Sequence, residues 1–137
     1  MHIRTARPAD FPVIESLPHA LHYEHHLTFL RHALGTKESL VAEADGAIAG
    51  YAIWDRGFYA RPFLWMLGVS AAQQRRGVAS GLVERVESLN GGHVLYTSTN
   101  QSNAAMQRLL TGRGFVLAGR LDDLDPGDPE LFYSKRL

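Results

Sequence analysis

The stretch LWMLGVSAAQQRRGVASGLVERV, from Leu64 to Val86, narrows the choice of fold more than any other part of the chain. Leu64 to Val69 is an apolar run with the length and character of a buried strand. It breaks at Ser70-Ala71-Ala72-Gln73, and a helical pattern begins within Gln74-Arg75-Arg76-Gly77-Val78-Ala79. The helix places Val78, Leu82, Val86 and Leu89 on one face and Glu84, Arg85 and Glu87 on the other, then meets a stop at Asn90-Gly91-Gly92. A strand that passes through a basic, glycine-containing turn into a helix leaves the first backbone N–H groups of that helix without partners. With the positive end of the helix dipole, those donors form a site for phosphate. Arg75 and Arg76 stand against the dipole, where cations are unfavourable unless an anion compensates them. Gly77 allows the backbone to approach a ligand closely.

The segments around this unit alternate between strand and helix patterns. His2–Thr5 reads as a short edge strand, and Pro8-Ala9-Asp10 as a helix start with Asp10 as its cap, the helix ending at Pro18. A second helical pattern runs from His19 and stops at Gly35. Leu40–Ala44 and Ala47–Trp54 flank Asp45-Gly46 and form the clearest hairpin. Gly50 inside its second strand marks a bulge or close packing. Asp55-Arg56-Gly57 predicts the turn that leads into the 64–69 strand, the third antiparallel member. His93–Thr97 follows a strand and a helix, so a parallel right-handed crossover is expected. Ser102 or Asn103 caps a further helix, Phe115 opens another strand, and the chain closes as strand, acidic Pro/Gly loop, strand.

A chain of 137 residues that is 45% hydrophobic fits one domain, 1–137. Its 14 basic and 14 acidic side chains cancel, which argues against wide contact with nucleic acid or anionic membrane. The absence of cysteine excludes disulfides, thiolate metal sites and a cysteine nucleophile, and suits a cytoplasmic location. No stretch approaches the length of a membrane span or a signal-peptide core.

The order Gln74-x-x-Gly77-x-Ala79, after a strand ending Leu67-Gly68-Val69, resembles the acyl-CoA-binding motif [QR]-x-x-G-x-[GA] of the GNAT N-acetyltransferase superfamily. Asn103, Leu109, Gly114 and Phe115 match its second block, N-x-x-A-x-x-L-Y-x-x-x-G-F, with Met106 in place of the alanine and Leu110 in place of the tyrosine. The resemblance covers the chain in order and implies an α/β (α+β) mixed sheet with helices on both faces. It implies acetyl-CoA as acyl donor, lying between the 64–69 and 93–97 strands. Backbone groups of Leu67 and Val69 would hold the pantetheine arm. Gln74 and the N–H groups of Arg75, Arg76, Gly77, Val78, Ala79 and Ser80 would hold the pyrophosphate, with Asn103 near the distal arm as well as capping its helix.

The implied reaction is direct attack of a primary amine on the thioester, the acceptor being a small molecule, an amino acid or a peptide. The oxyanion would be met by a strand N–H near Met66 or Leu67. The usual glutamate early in the central strand is replaced by Phe63-Leu64, so Asp55 is the nearest carboxylate and the candidate base, against its role as a turn cap. Tyr133 or a water could substitute for the missing tyrosine acid, and nothing in the spacing selects either. These two losses also support the alternative of a non-catalytic acyl-CoA-binding or regulatory module. A nucleotide-binding domain lacks either glycine-rich fingerprint.

His19, His22 and His25 follow i, i+3, i+6 spacing beside His26, but no partner ligand has a recognisable spacing. No metal is therefore assigned, and these histidines read as solvated or, with Tyr23 and Phe29, as lining an acceptor pocket. Trp54, Phe58, Tyr59 and Trp65 read equally as pocket or core. Asp122, Asp123, Asp125, Asp128 and Glu130 read as a solvated loop, with attraction of a cationic amine as the other reading. Homodimers are common in the resembled family, so a homodimer stays open.

Overall fold

A computed structural model describes residues 1–17 and 24–137. Seven strands form one mixed sheet in the order β1-β2-β3-β4-β5-β7-β6. They are β1 (His2–Thr5), β2 (Glu38–Ala44), β3 (Ala47–Phe58), β4 (Arg61–Val69), β5 (Val94–Asn100), β6 (Val116–Leu121) and β7 (Glu130–Arg136). The helices are α1 (Phe11–Ser16), α2 (Glu24–Thr36), α3 (Val78–Ser88) and α4 (Ala104–Gly112). All neighbouring strands are antiparallel except β4 and β5, as the strand–helix–strand order predicts.

Alternation along the strands sorts the core into two layers. Leu40, Ala42, Ala52, Leu64 and Leu95 pack with Val78, Leu82, Val83 and Val86 of α3 and Leu110 of α4. Val41, Tyr51 and Ile53 face the other way, against Ile14 of α1 and Leu30, Ala33 and Leu34 of α2. Strands covered on both faces read as continuous apolar runs, which is why Leu40–Ala44 and Leu64–Val69 carry little polar alternation.

Three local expectations change. Asp10 does not cap α1 with its side chain; the carboxylate accepts from the Arg7 N–H at 2.7 Å and the Arg4 guanidinium at 2.8 Å. Helix α2 runs through Gly35 to Thr36, and the His19–Tyr23 part of the expected helix lies outside the described residues. Asp55-Arg56-Gly57 is not the turn between β3 and β4. The turn falls at Tyr59 and Ala60, with φ of 52° and 63°, while Asp55–Gly57 forms a bulge inside β3 where Asp55 accepts from the Gly57 N–H. Helix α3 begins at Val78, within the expected 74–79 stretch, after a 3-10 turn at Ala71–Gln73.

Candidate active site

Strands β4 and β5 pair only at Phe63↔Tyr96 and Leu64↔Thr97. Beyond that point β4 continues to Val69 and β5 to Asn100 without pairing, so a gap opens in the middle of the sheet. A bulge in β4 decides what faces the gap. Opposite it, Ile53 pairs with Met66 and Trp54 with Leu64, which leaves Trp65 as the extra residue. The Leu64 carbonyl lies on the β5 side, where it accepts from Thr97 Oγ1 at 2.8 Å, and the Ser70 N–H lies on the β3 side, where it donates to the Ala49 carbonyl. Backbone groups alternate along a strand, so with one extra residue between them it is Leu67 and Val69 that present N–H and C=O to the gap. The same bulge brings the adjacent side chains of Trp65 and Met66 to the α2 face, while Leu67 and Val69 pack on the α3 side.

The gap leads to the start of α3. Gly77 is the residue before the first turn, with φ of 78°, and no side chain caps that start. The Gly81 N–H already bonds to the Gly77 carbonyl, leaving the Val78, Ala79 and Ser80 N–H groups as the open donors of the first turn. No acidic residue lies in that turn to neutralise the dipole. Arg75 also adopts a left-handed conformation, with φ of 65°. The Arg76 guanidinium is exposed and stands 3.7 Å from the equally exposed Asp45 carboxylate, a screened contact that leaves it available to a stronger anion. A Cβ at Gly77 would meet nothing within 4 Å, so its positive φ is what calls for glycine in the chain itself. This donor set suits a diphosphate.

The acetyltransferase (GNAT) family model matches residues 3–115 of this chain. The chain belongs to the GNAT family. It is accordingly an acetyl-CoA-dependent acyltransferase that carries out N-acetyl transfer. Among solved GNAT structures, an acetyltransferase from Bacillus cereus is 25% identical, covers 98% of this chain and 96% of its own, and superposes with a TM-score of 0.82. The ribosomal-protein-S18-alanine N-acetyltransferase of Escherichia coli is 22% identical over 97% of this chain and 91% of its own, with a TM-score of 0.77. An acetyltransferase of Salmonella typhimurium, solved with acetyl-CoA, is 22% identical over 100% and 94%, with a TM-score of 0.70. No curated protein matches the sequence.

On the α2 face of the gap stands an aromatic wall. Phe63 is 4.2 Å from Trp65, 5.0 Å from Phe58 and 6.1 Å from Phe132 between ring centroids, and Phe29 of α2 lies 5.9 Å from Trp65. Trp54, by contrast, packs on the α3 side, and Tyr59 is exposed at the hairpin tip. Asp55 belongs to this wall. Its carboxylate accepts from Trp65 Nε1 at 2.6 Å, Lys37 Nζ at 2.9 Å and the Gly57 N–H at 3.0 Å. Burial works to raise the Asp55 carboxyl, but these three donors outweigh it and hold it below its ordinary value. Asp55 thus fixes the Trp65 ring, over which Lys37 also sits at 4.7 Å.

A different carboxylate lies one strand beyond the gap, on β7, and is tied to β5. Ser98 is the first residue of β5 past the paired stretch, and its hydroxyl donates to Glu130 Oε2 at 2.7 Å. Burial pushes the Glu130 carboxyl up, the Ser98 hydroxyl opposes this, and the charges of Asp125 and Asp128 add to the rise.

The remaining sequence-predicted groups divide. Asn103 caps α4, its side chain accepting from the Met106 N–H at 3.1 Å. Leu110 is fully buried against α3, so its place in the motif holds packing rather than an acid. Tyr133 lies on β7, separated from β4 by β5, and lines a shallow groove with Gln107, Arg108, Thr111 and Gly112. The acidic loop is not simply solvated. Asp125 is 2% exposed, Asn100 donates to its carboxylate and to the Asp128 carbonyl, and Ser102 donates to Asp128. The acidic-loop reading includes Glu130 and Asp125 but not their partners Ser98 and Asn100, which lie 32 and 25 residues upstream, a separation with no periodic signature. The Asn-Gln-Ser-Asn run of 100–103 was the one available signal, since such residues tether loops as readily as they cap helices.

Proposed function

We propose that the chain acetylates a primary amine of a small molecule, amino acid or peptide, with the acyl donor entering from the α3–α4 face and the acceptor from the α2 face. The gap between β4 and β5 carries this reading, because it joins the uncapped start of α3 to the aromatic wall. Gln74, Arg75, Arg76, Gly77, Val78, Ala79 and Ser80 hold the diphosphate, Leu67 and Val69 pair their backbone with the pantetheine amides, and Asn103 borders the distal arm. Bound acetyl-CoA supplies an activated acetyl thioester. The Leu67 N–H points where charge develops on the thioester oxygen. Glu130, rather than Asp55, takes the proton of the amine, directly or through one water, because the Asp55 oxygens are already occupied by three donors. Phe63, Trp65 and Phe132 exclude water and bury the apolar body of the acceptor. A cysteine-free chain suits a cytoplasmic setting; among the described residues no helix is long and apolar enough to cross a membrane.

Calorimetric titration with acetyl-CoA tests the cradle. Native protein is expected to bind, Arg76→Ala to bind at least several-fold more weakly, and Gly77→Asp to lose binding through charge and backbone strain together. Native protein that fails to bind at millimolar acetyl-CoA removes the reading. Release of free CoA in a panel of primary amines and peptide N-termini then separates an enzyme from a module that binds without turnover.

A further inference from the structure

The histidines at the start of α2 take no part in the transfer chemistry above, yet two of them converge on the one loop carboxylate that is buried. His25 Nε2 lies 2.9 Å from Asp125 Oδ1, and His26 Nε2 lies 3.6 Å from Asp125 Oδ2. One ligand atom from each of the three residues falls within 4.8 Å of the others. The two imidazoles meet edge to face at 4.5 Å. Asp125 is held from behind by Asn100 Nδ2 at 2.8 Å, the kind of outer hydrogen bond that orients a metal-binding carboxylate. The surroundings are anionic, since Glu130 lies near enough to feel the charges of both Asp125 and Asp128. Among the described residues no lysine or arginine is ion-paired with Asp125.

We propose that His25, His26 and Asp125 form a three-ligand site for a divalent transition metal of the Zn2+ class. Two imidazoles with one carboxylate favour such an ion over Ca2+ or Mg2+, which take oxygen ligands. Tetrahedral coordination with arms of about 2.0–2.2 Å needs ligand atoms about 3.3–3.5 Å apart. Each imidazole lies near that spacing from one Asp125 oxygen, His25 at 2.9 Å from Oδ1 and His26 at 3.6 Å from Oδ2. The ligand atoms lie within 4.8 Å of one another, so metal binding closes the set by up to about 1.5 Å, and the 59% exposed His25 side chain has room to move. Three protein ligands leave a fourth position for water or for an acceptor atom. The ion would tie the first turn of α2 to the loop between β6 and β7, two elements that border the acceptor side. This proposal stands without the transfer reading, since it uses none of the residues that hold the acyl donor.

The test is titration of Zn2+, without acetyl-CoA, into the untagged, chelator-treated full chain. Calorimetry is one readout, and Co2+ substitution, read by its visible absorption, reports coordination. One equivalent of Zn2+ is expected, with tetrahedral Co2+ bands. His26→Ala and Asp125→Asn should each weaken binding by tenfold or more, with His32→Ala on the exposed side of α2 unchanged. Circular dichroism checks folding, and a His25→Ala/His26→Ala double variant replaces Asp125→Asn if that chain does not fold. The proposal is overturned by the absence of saturable Zn2+ binding. Binding that survives Asp125→Asn and disappears only with His19→Ala or His22→Ala also overturns it.

Discussion

Glu130 and Asp55 illustrate how little the position of a carboxylate in the sequence says about its chemistry. Asp55 is close in sequence to the central strand, but its oxygens serve Trp65, Lys37 and the bulge at Gly57. Glu130 is remote in sequence and meets Ser98 only because β7 pairs with β5 along its whole length. Its raised carboxyl acts as a base only when ionised, so the rate is expected to climb with pH through a value above that of an ordinary glutamate. Glu130→Gln should lower kcat by about a hundredfold or more and remove that limb of the profile, with acetyl-CoA affinity unchanged. An unaltered pH–rate profile in the variant, measured with the best amine of the panel, would return the base to another group. The turn of the proposed cradle was legible at this scale, since Gln74, Gly77 and Ala79 are local and Gly77 does adopt the positive φ that glycine favours. Glu130, Ser98 and Asp125 were not, because nothing local connects them.

At the scale of elements, the order and type of strands and helices follow from apolar periodicity, while turns and bulges follow from register. Asp55-Arg56-Gly57 has turn chemistry, yet the strand continues through it because the pairing of β3 with β4 resumes at Phe58↔Arg61. The cost moves to Tyr59 and Ala60, two non-glycine residues at positive φ. The bulge at Trp65 has no glycine or proline to mark it. Gly50 did carry a signal, and both of its readings hold. The register of β2 and β3 shifts beside it, and a Cβ there would lie 2.8 Å from the Gly68 carbonyl and 2.9 Å from Val78 Cγ1. Because one of those neighbours is backbone, Gly50→Ala should cost about 1–3 kcal/mol by chemical denaturation. Gly35, inside α2 with open space around it, offers the contrast, and Gly35→Ala should be neutral or stabilise by up to about 1 kcal/mol.

Across the whole molecule, stability against acid has an identifiable centre. Arg4 of β1 bonds both to Glu43 of β2 and to Asp10 before α1, joining the edge of the sheet to the helical layer. The Arg4 guanidinium and the Arg7 N–H hold the Asp10 carboxyl down at about 2, below its unfolded value near 4. A depressed carboxylate stabilises the fold above its unfolded pKa, and that contribution drains away as pH falls through its folded pKa. Melting temperature is therefore expected to fall between about pH 4 and pH 2, and Asp10→Asn should be less stable at neutral pH and flatter across that window. The overall architecture was legible because each layer writes its own period into the sequence. The meeting of α2 with the loop after β6 was not, being a contact across about a hundred residues.

The two-pair contact between β4 and β5 has a mechanical consequence. The backbone ladder that runs unbroken from β1 to β4, and again through β5, β7 and β6, is nearly severed where the two parts meet. The strand junction with the fewest paired residues is also the proposed reaction centre. An acyl donor laid along the open edge of β4, as proposed, would replace part of the missing ladder, so the substrate would serve as a temporary strand of the sheet.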